Sequence, residues 1–153
     1  MLRLSKLTDY GMVIMAVLAD GGGQLRSAVE IADQAQVAAP TVRKLLKHLN
    51  QAGLVESARG ARGGYRLARP ALGISVADVI AALEGPIGLT ECAAHQGRCG
   101  IEADCRLRPH WRVINAAIHE ALAGISLADM ARPAARLSSS IQRRIPGFIP
   151  THH

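Results

Sequence analysis

Apolar residues near the start of the chain recur at Tyr10, Val13, Ile14, Val17 and Leu18, the spacing of a helix that buries one face. Thr8 is the predicted N-cap of this helix, and Asp20 with the run Gly21, Gly22 and Gly23 ends it. A short second helix is expected after its cap Ser27, carrying Val29, Ile31, Ala32 and Ala35 and ending near Gln36. Pro40 stands where a first helical residue is expected, since its missing N–H costs nothing there. From it a third helix runs to Gln51, with Val42, Leu45, Leu46 and Leu49 on the core face. Ala52 and Gly53 end that helix, and two short strands are predicted over 54–58 and 65–68. Their connection, Arg59-Gly60-Ala61-Arg62-Gly63-Gly64, has the glycines that a tight hairpin tip needs. Residues 75–84 read as a capped helix stopped by Gly85 and Pro86, and a cysteine-bearing loop follows. Pro109 then opens a long helix with Trp111, Ile114, Ile118, Leu122 and Ile125 at spacings of three and four, and Ser126 to Met130 add a final turn. The tail from Pro133, with three consecutive serines and several prolines, reads as flexible.

Helix, short helix, turn, helix and basic hairpin follow one another in the order of a winged helix-turn-helix. The expected fold is therefore mainly α, a winged helix-turn-helix with a two-stranded wing plus a long C-terminal dimerisation helix. Residues 1–84 would form the DNA-binding domain, 85–108 the cysteine loop, 109–131 the dimerisation helix and final turn, and 132–153 the tail. The narrow seam of Trp111, Ile114, Ile118, Leu122 and Ile125 is the candidate homodimer contact.

Charge sharpens this picture. The net charge is +6, and residues 40–69 alone hold seven basic residues against one acid, Glu56. Opposite the apolar face of the third helix lie Thr41, Arg43, Lys44, Lys47 and His48, on an element slim enough to enter a major groove. The hairpin adds Arg59, Arg62 and Arg66. Thr41, Arg43, Lys44, Lys47, Arg59, Arg62 and Arg66 are thus the candidate contacts to double-stranded promoter DNA. Only four aromatic residues occur, which argues against base-stacking readers of single-stranded RNA. No apolar run reaches the length of a membrane span. Arg3, Lys6 and the apolar stretch 10–19 imitate a signal peptide, but Asp9 and the helical spacing argue against one. No nucleophile motif or phosphate loop is present, and His48 and His119 stand singly on helices, so neither an enzyme nor a small-molecule substrate is expected.

Three cysteines, Cys92, Cys99 and Cys105, sit on one loop with spacing C-x6-C-x5-C. An odd, clustered set is not a secreted disulfide framework, and it fits a reducing cytoplasm. The gaps are too wide for paired zinc knuckles, while three thiolates with a weaker fourth ligand suit an iron–sulfur cluster. Structural zinc and a metal-free redox thiol stay open, the latter because Arg98, Arg106 and Arg108 give the thiols positive surroundings. A small iron–sulfur electron-transfer protein is the alternative of another class, but it has no use for the basic third helix.

Several segments together resemble the IscR and NsrR-type transcription regulators. They are Leu4-Ser5-Lys6-Leu7-Thr8-Asp9-Tyr10-Gly11, Gly53-Leu54-Val55, the wing sequence from Arg59 to Tyr65, and three loop cysteines before a Trp-bearing helix. Residues 99–111 and 126–130 look most like the branch that controls SUF iron–sulfur cluster assembly, and the likeness spans residues 1 to about 131. The resemblance implies a homodimeric DNA-binding regulator carrying an iron–sulfur cluster, with 2Fe-2S favoured over 4Fe-4S, ligated by Cys92, Cys99 and Cys105. A nitric oxide or thiol-redox responsive repressor without SUF control is the alternative within the family. For the fourth ligand the chain departs from its relatives, because Arg108 stands where one pattern has histidine and the first cysteine gap is one residue longer. Asp9 of the partner subunit or His110 is expected to fill that place, with Glu102 and His95 behind them. The family's base-reading positions fall on Thr41, Arg43, Lys44 and Arg59.

Overall fold

The computed structural model describes residues 4–90, 93, 100 and 104–132. The loop positions Cys92, His95, Cys99 and Glu102 and the tail from Pro133 lie outside the described residues. The elements are α1 (Lys6–Asp20), α2 (Ala28–Ala35), α3 (Ala39–Gln51), β1 (Val55–Ala58), β2 (Gly64–Leu67), a 3-10 turn (Ala71–Gly73), α4 (Val76–Glu84), α5 (Arg108–Ala123) and α6 (Leu127–Met130). Among the described residues no helix is long and apolar enough to cross a membrane.

The start of α1 corrects the expectation for Thr8. Ser5 is the N-cap, its Oγ accepting from the Thr8 N–H at 3.2 Å, and Thr8 lies inside the helix, only 1% exposed. Glu84, at the end of α4, accepts from the Ser5 N–H at 2.7 Å and from the Thr8 hydroxyl. It does what an N3 glutamate does in a capping box, but from another helix. The buried stripe is accordingly Gly11, Ile14, Met15 and Leu18, while Tyr10 and Val17 are half-buried and Val13 is exposed. The end of the Leu83 side chain of α4 packs on Gly11, and a side chain there would require Leu83 to turn aside.

Ser27 and Glu30 form a capping box at the start of α2, and Ile31 and Ala32 turn inward. Of the apolar residues that α2 carries, Val29 is 61% exposed. Two residues along a helix amount to about 200° of rotation, so burying Ile31 sends Val29 outward. Gln36 ends α2 in the left-handed region at φ 53°, and a short turn through buried Val37 leads to α3. Pro40 is the second residue of α3 rather than the first, and Val42, Leu45, Leu46 and Leu49 are all buried.

Gly53 at φ 72° lets the chain leave α3 and enter the wing. β1 and β2 pair antiparallel, with Val55 opposite Leu67 and Glu56 opposite Arg66. The far edge of β2 is held by Arg26, whose N–H and C=O bond Tyr65 at 3.0 and 2.8 Å. Gly64 permits this approach, because a Cβ there would lie 2.6 Å from the Arg26 carbonyl oxygen.

After the wing, Ser75 and Asp78 cap α4, and Arg69 reaches Asp78 at 3.0 Å. α5 ends at Ala123, so Ile125 lies past the helix, where its carbonyl accepts from the Val76 N–H at 2.9 Å. The Leu127 N–H donates to the Ile74 carbonyl at 2.7 Å, and its fully buried side chain joins Ile14, Leu46 and Val79 in one core. The final turn α6 is thus fastened to the helix-turn-helix core. No described residue of α5 is fully buried: Trp111, Ile118 and Leu122 are half-buried, Ile114 is 43% exposed and Val113 70% exposed.

Candidate nucleic-acid interface and cysteine loop

Burying Val42, Leu45, Leu46 and Leu49 obliges the rest of α3 to face outward. Arg43, Lys44, Lys47 and His48 are exposed and Thr41 is half-buried. Arg59 and Arg62 are exposed in the connection between β1 and β2. These cations divide from the others by their partners. Arg66 pairs across the hairpin with Glu56, Arg69 with Asp78, and Arg26 with Gln34 and the Val17 carbonyl. Arg43, Lys44, Lys47, Arg59 and Arg62 have no such partner among the described residues. Five unneutralised cations on a helix and an adjoining hairpin suit phosphate and base-edge contacts. Arg66 belongs to the expected set as well, but the register places it opposite the one acid of this region.

Acidic groups in the scaffold are held ionised by local donors. The Thr8 hydroxyl, and after it the Ser5 N–H, lower the Glu84 carboxyl below its usual range. Burial opposes ionisation of Asp78, but the Ser75 N–H and hydroxyl together with Arg69 outweigh it.

The loop expected to hold the cysteines is attached to α5 near both of its ends. The Asn115 carboxamide donates from Nδ2 to the Ile87 carbonyl at 3.0 Å and accepts from the Leu89 N–H at 3.2 Å. Cys105 is half-buried just before α5, its carbonyl accepting from the Arg108 N–H at 3.2 Å. Arg108 and Asn115 are seven residues apart, about 10 Å along the helix axis. Cys92 follows Leu89 by three residues, so the chain enters and leaves the loop about two turns apart on one helix. Asp9 is exposed on the first turn of α1, and His110 is exposed on the first turn of α5. Among the described residues of a single chain, no three metal-ligating side chains come together.

Sequence reasoning overlooked Asn115, Glu84 and Asn50. A polar residue between Ile114 and Ile118 in an otherwise apolar seam was a usable signal for Asn115. Glu84 has no local signal, because its partners are 76 and 79 positions away.

Comparison with known proteins agrees with this architecture. IscR of Cereibacter sphaeroides, an HTH-type transcriptional regulator, is 32% identical over 134 residues, covering 84% of this chain and 86% of the relative. The structure of CymR, the global cysteine regulator of B. subtilis, matches with a TM-score of 0.66 at 34% identity, over 86% of this chain and 97% of that one. The T. potens IscR structure matches with a TM-score of 0.61 at 34% identity, over 84% and 85%. These relatives are transcription regulators rather than enzymes. Residues 4–133 match the Rrf2 family, described as iron-dependent transcriptional regulators, and the chain belongs to that family.

Proposed function

We propose that this regulator binds promoter DNA as a homodimer and changes its affinity with the state of an iron–sulfur cluster held by Cys92, Cys99 and Cys105. The observation that carries the DNA half is the set of five cations on α3 and the wing that have no acidic partner among the described residues. Arg43, Lys44 and Thr41 would face the major groove, while Arg59 and Arg62 would take phosphates beside it. The exposed apolar residues of α5 and its N-cap, with Ile114, Val113 and Leu107 foremost, favour α5 as the dimer contact. Trp111, Ile118 and Leu122 are half-covered within the protomer and would contribute their remaining surface.

For the cluster, the donor set fits: three soft thiolates suit iron–sulfur ligation, and both loop ends are tied to α5 about two turns apart. Asp9 of the partner subunit or His110 would complete the set, both being exposed. When bound, a 2Fe-2S cluster supplies an iron-dependent and oxidant-labile tie between loop and helices. Asn115 holds the loop entry on α5 whatever the loop carries. Control of SUF-type assembly genes in the cytoplasm is the finest part of the reading, and it rests on the likeness of residues 99–111 and 126–130 to that branch. A thiol-responsive regulator is the second reading, favoured by the structural match to a cysteine regulator.

Anaerobic purification followed by visible absorption, iron and sulfide analysis tests the choice. Visible absorption with matched iron and sulfide supports the cluster. Colourless protein after reconstitution with iron and sulfide rejects the cluster in favour of thiol or zinc chemistry.

A further inference from the structure

Asn50 occupies the last turn of α3, and its Nδ2 donates to the Val55 carbonyl at 2.9 Å. Val55 opens β1, the outer strand of the wing. Among the described residues β1 pairs only with β2, whereas β2 is also held by Arg26 on its other side. The Leu54 carbonyl accepts from the Ala68 N–H at 3.0 Å, and successive carbonyls along a strand point in opposite directions. The Val55 carbonyl therefore points away from β2, and Asn50 supplies its donor. Asn50 also shares a face of α3 with Arg43 and Lys47, which stand seven and three residues before it.

We infer that Asn50 is a positioning residue for DNA binding, fixing the angle between α3 and the wing so that both sets of cations reach one duplex together. This rests on the reading of α3 and the wing as the DNA interface. The lever is long: four residues separate Val55 from Arg59, about 13 Å of strand, so a tilt of about 10° at the base moves the tip by about 2 Å. A displacement of that size takes a phosphate contact out of hydrogen-bonding range. Asn50 itself touches no nucleic acid in this scheme. Its work is done through Arg59 and Arg62.

The test is a double-mutant cycle on the full chain, read as affinity for a duplex selected by the wild-type protein from a random pool. Asn50→Ala lowers affinity by about tenfold, the equivalent of one hydrogen bond. Asn50→Asp, which keeps the shape but cannot donate, lowers it at least as much. In the Asn50→Ala background, Arg62→Ala costs less than half of its wild-type fold-change, because the wing is already displaced. The salt dependence of Asn50→Ala weakens as that of Arg62→Ala does. Additive losses would overturn the inference, since a direct Asn50 contact to DNA behaves that way. Unchanged affinity of Asn50→Ala would overturn it too. Should Arg62→Ala have no effect even in the wild type, the wing interface itself is wrong and the role of Asn50 falls with it.

Discussion

Replacing Arg62 and Arg66 separately by alanine distinguishes the two classes of wing cation. Both stand on the same hairpin, four residues apart, and by charge alone they are equivalent. Arg66 lies opposite Glu56 and pairs with it, each side chain about half exposed at 49% and 47%, whereas Arg62 has no partner among the described residues. Removing one phosphate contact lowers the slope of log affinity against log salt by about 0.9, so the two Arg62 side chains of a dimer account for about 1.8. Between about 50 and 200 mM salt, wild-type affinity should then fall about twelvefold more than that of Arg62→Ala. Arg66→Ala should leave the slope unchanged and cost at most about 1 kcal/mol of stability, the worth of an exposed ion pair. Glu56→Gln releases Arg66 and should steepen the slope. Fluorescence anisotropy titrations at several salt concentrations measure all four proteins. Equal slope changes for Arg62→Ala and Arg66→Ala would refute the division of the cations by their partners.

Gly11→Ala places a methyl group against the end of the Leu83 side chain, a crowding of about 1 to 3 kcal/mol offset by about 1 kcal/mol of helix propensity, so a thermal melt should show a net loss of at most about 2 kcal/mol; a raised midpoint would mean that Leu83 does not press on α1 there. Leu127→Ala empties a fully buried site and should cost about 2 to 5 kcal/mol, a loss seen in urea denaturation only if α6 belongs to the core. Glu84 titrates lower in the folded chain than its ordinary value of 4.5, so the stability it contributes is complete above that value and drains away as pH falls through the folded value. Urea midpoints of wild type and Glu84→Gln should therefore converge as pH falls below 4.5, and a gap constant with pH would count against the Glu84 clamp.

The parts of the fold that local spacing governs were legible in the chain. α3 shows why: Val42, Leu45, Leu46 and Leu49 stand on one face, and removing them from water forces Arg43, Lys44 and Lys47 outward. The wing was equally plain from its glycines and arginines. What escaped depends on partners distant in sequence. Thr8 has the chemistry of an N-cap, yet Glu84 and Ser5 together start α1 three residues earlier. The apolar seam of α5 gave its helix but not its orientation, because Asn115 holds Ile87 and Leu89 and turns Trp111 and Ile118 partly toward the protomer. Arg66 looked like any other cation until the strand register set it opposite Glu56. Membership of a family described as iron-dependent regulators was legible through the cysteine trio and the family likeness together, since the spacing alone also admits zinc or a redox thiol.

The most direct measurement is the affinity of anaerobically reconstituted and metal-free protein for the same selected duplex, with Cys105→Ala measured beside them. Cluster-coupled binding predicts a difference of about tenfold or more between the two wild-type forms, a coupling of about 1.4 kcal/mol, which vanishes in Cys105→Ala. Equal affinities for the two wild-type forms, with the cluster verified by iron and sulfide content, would contradict it.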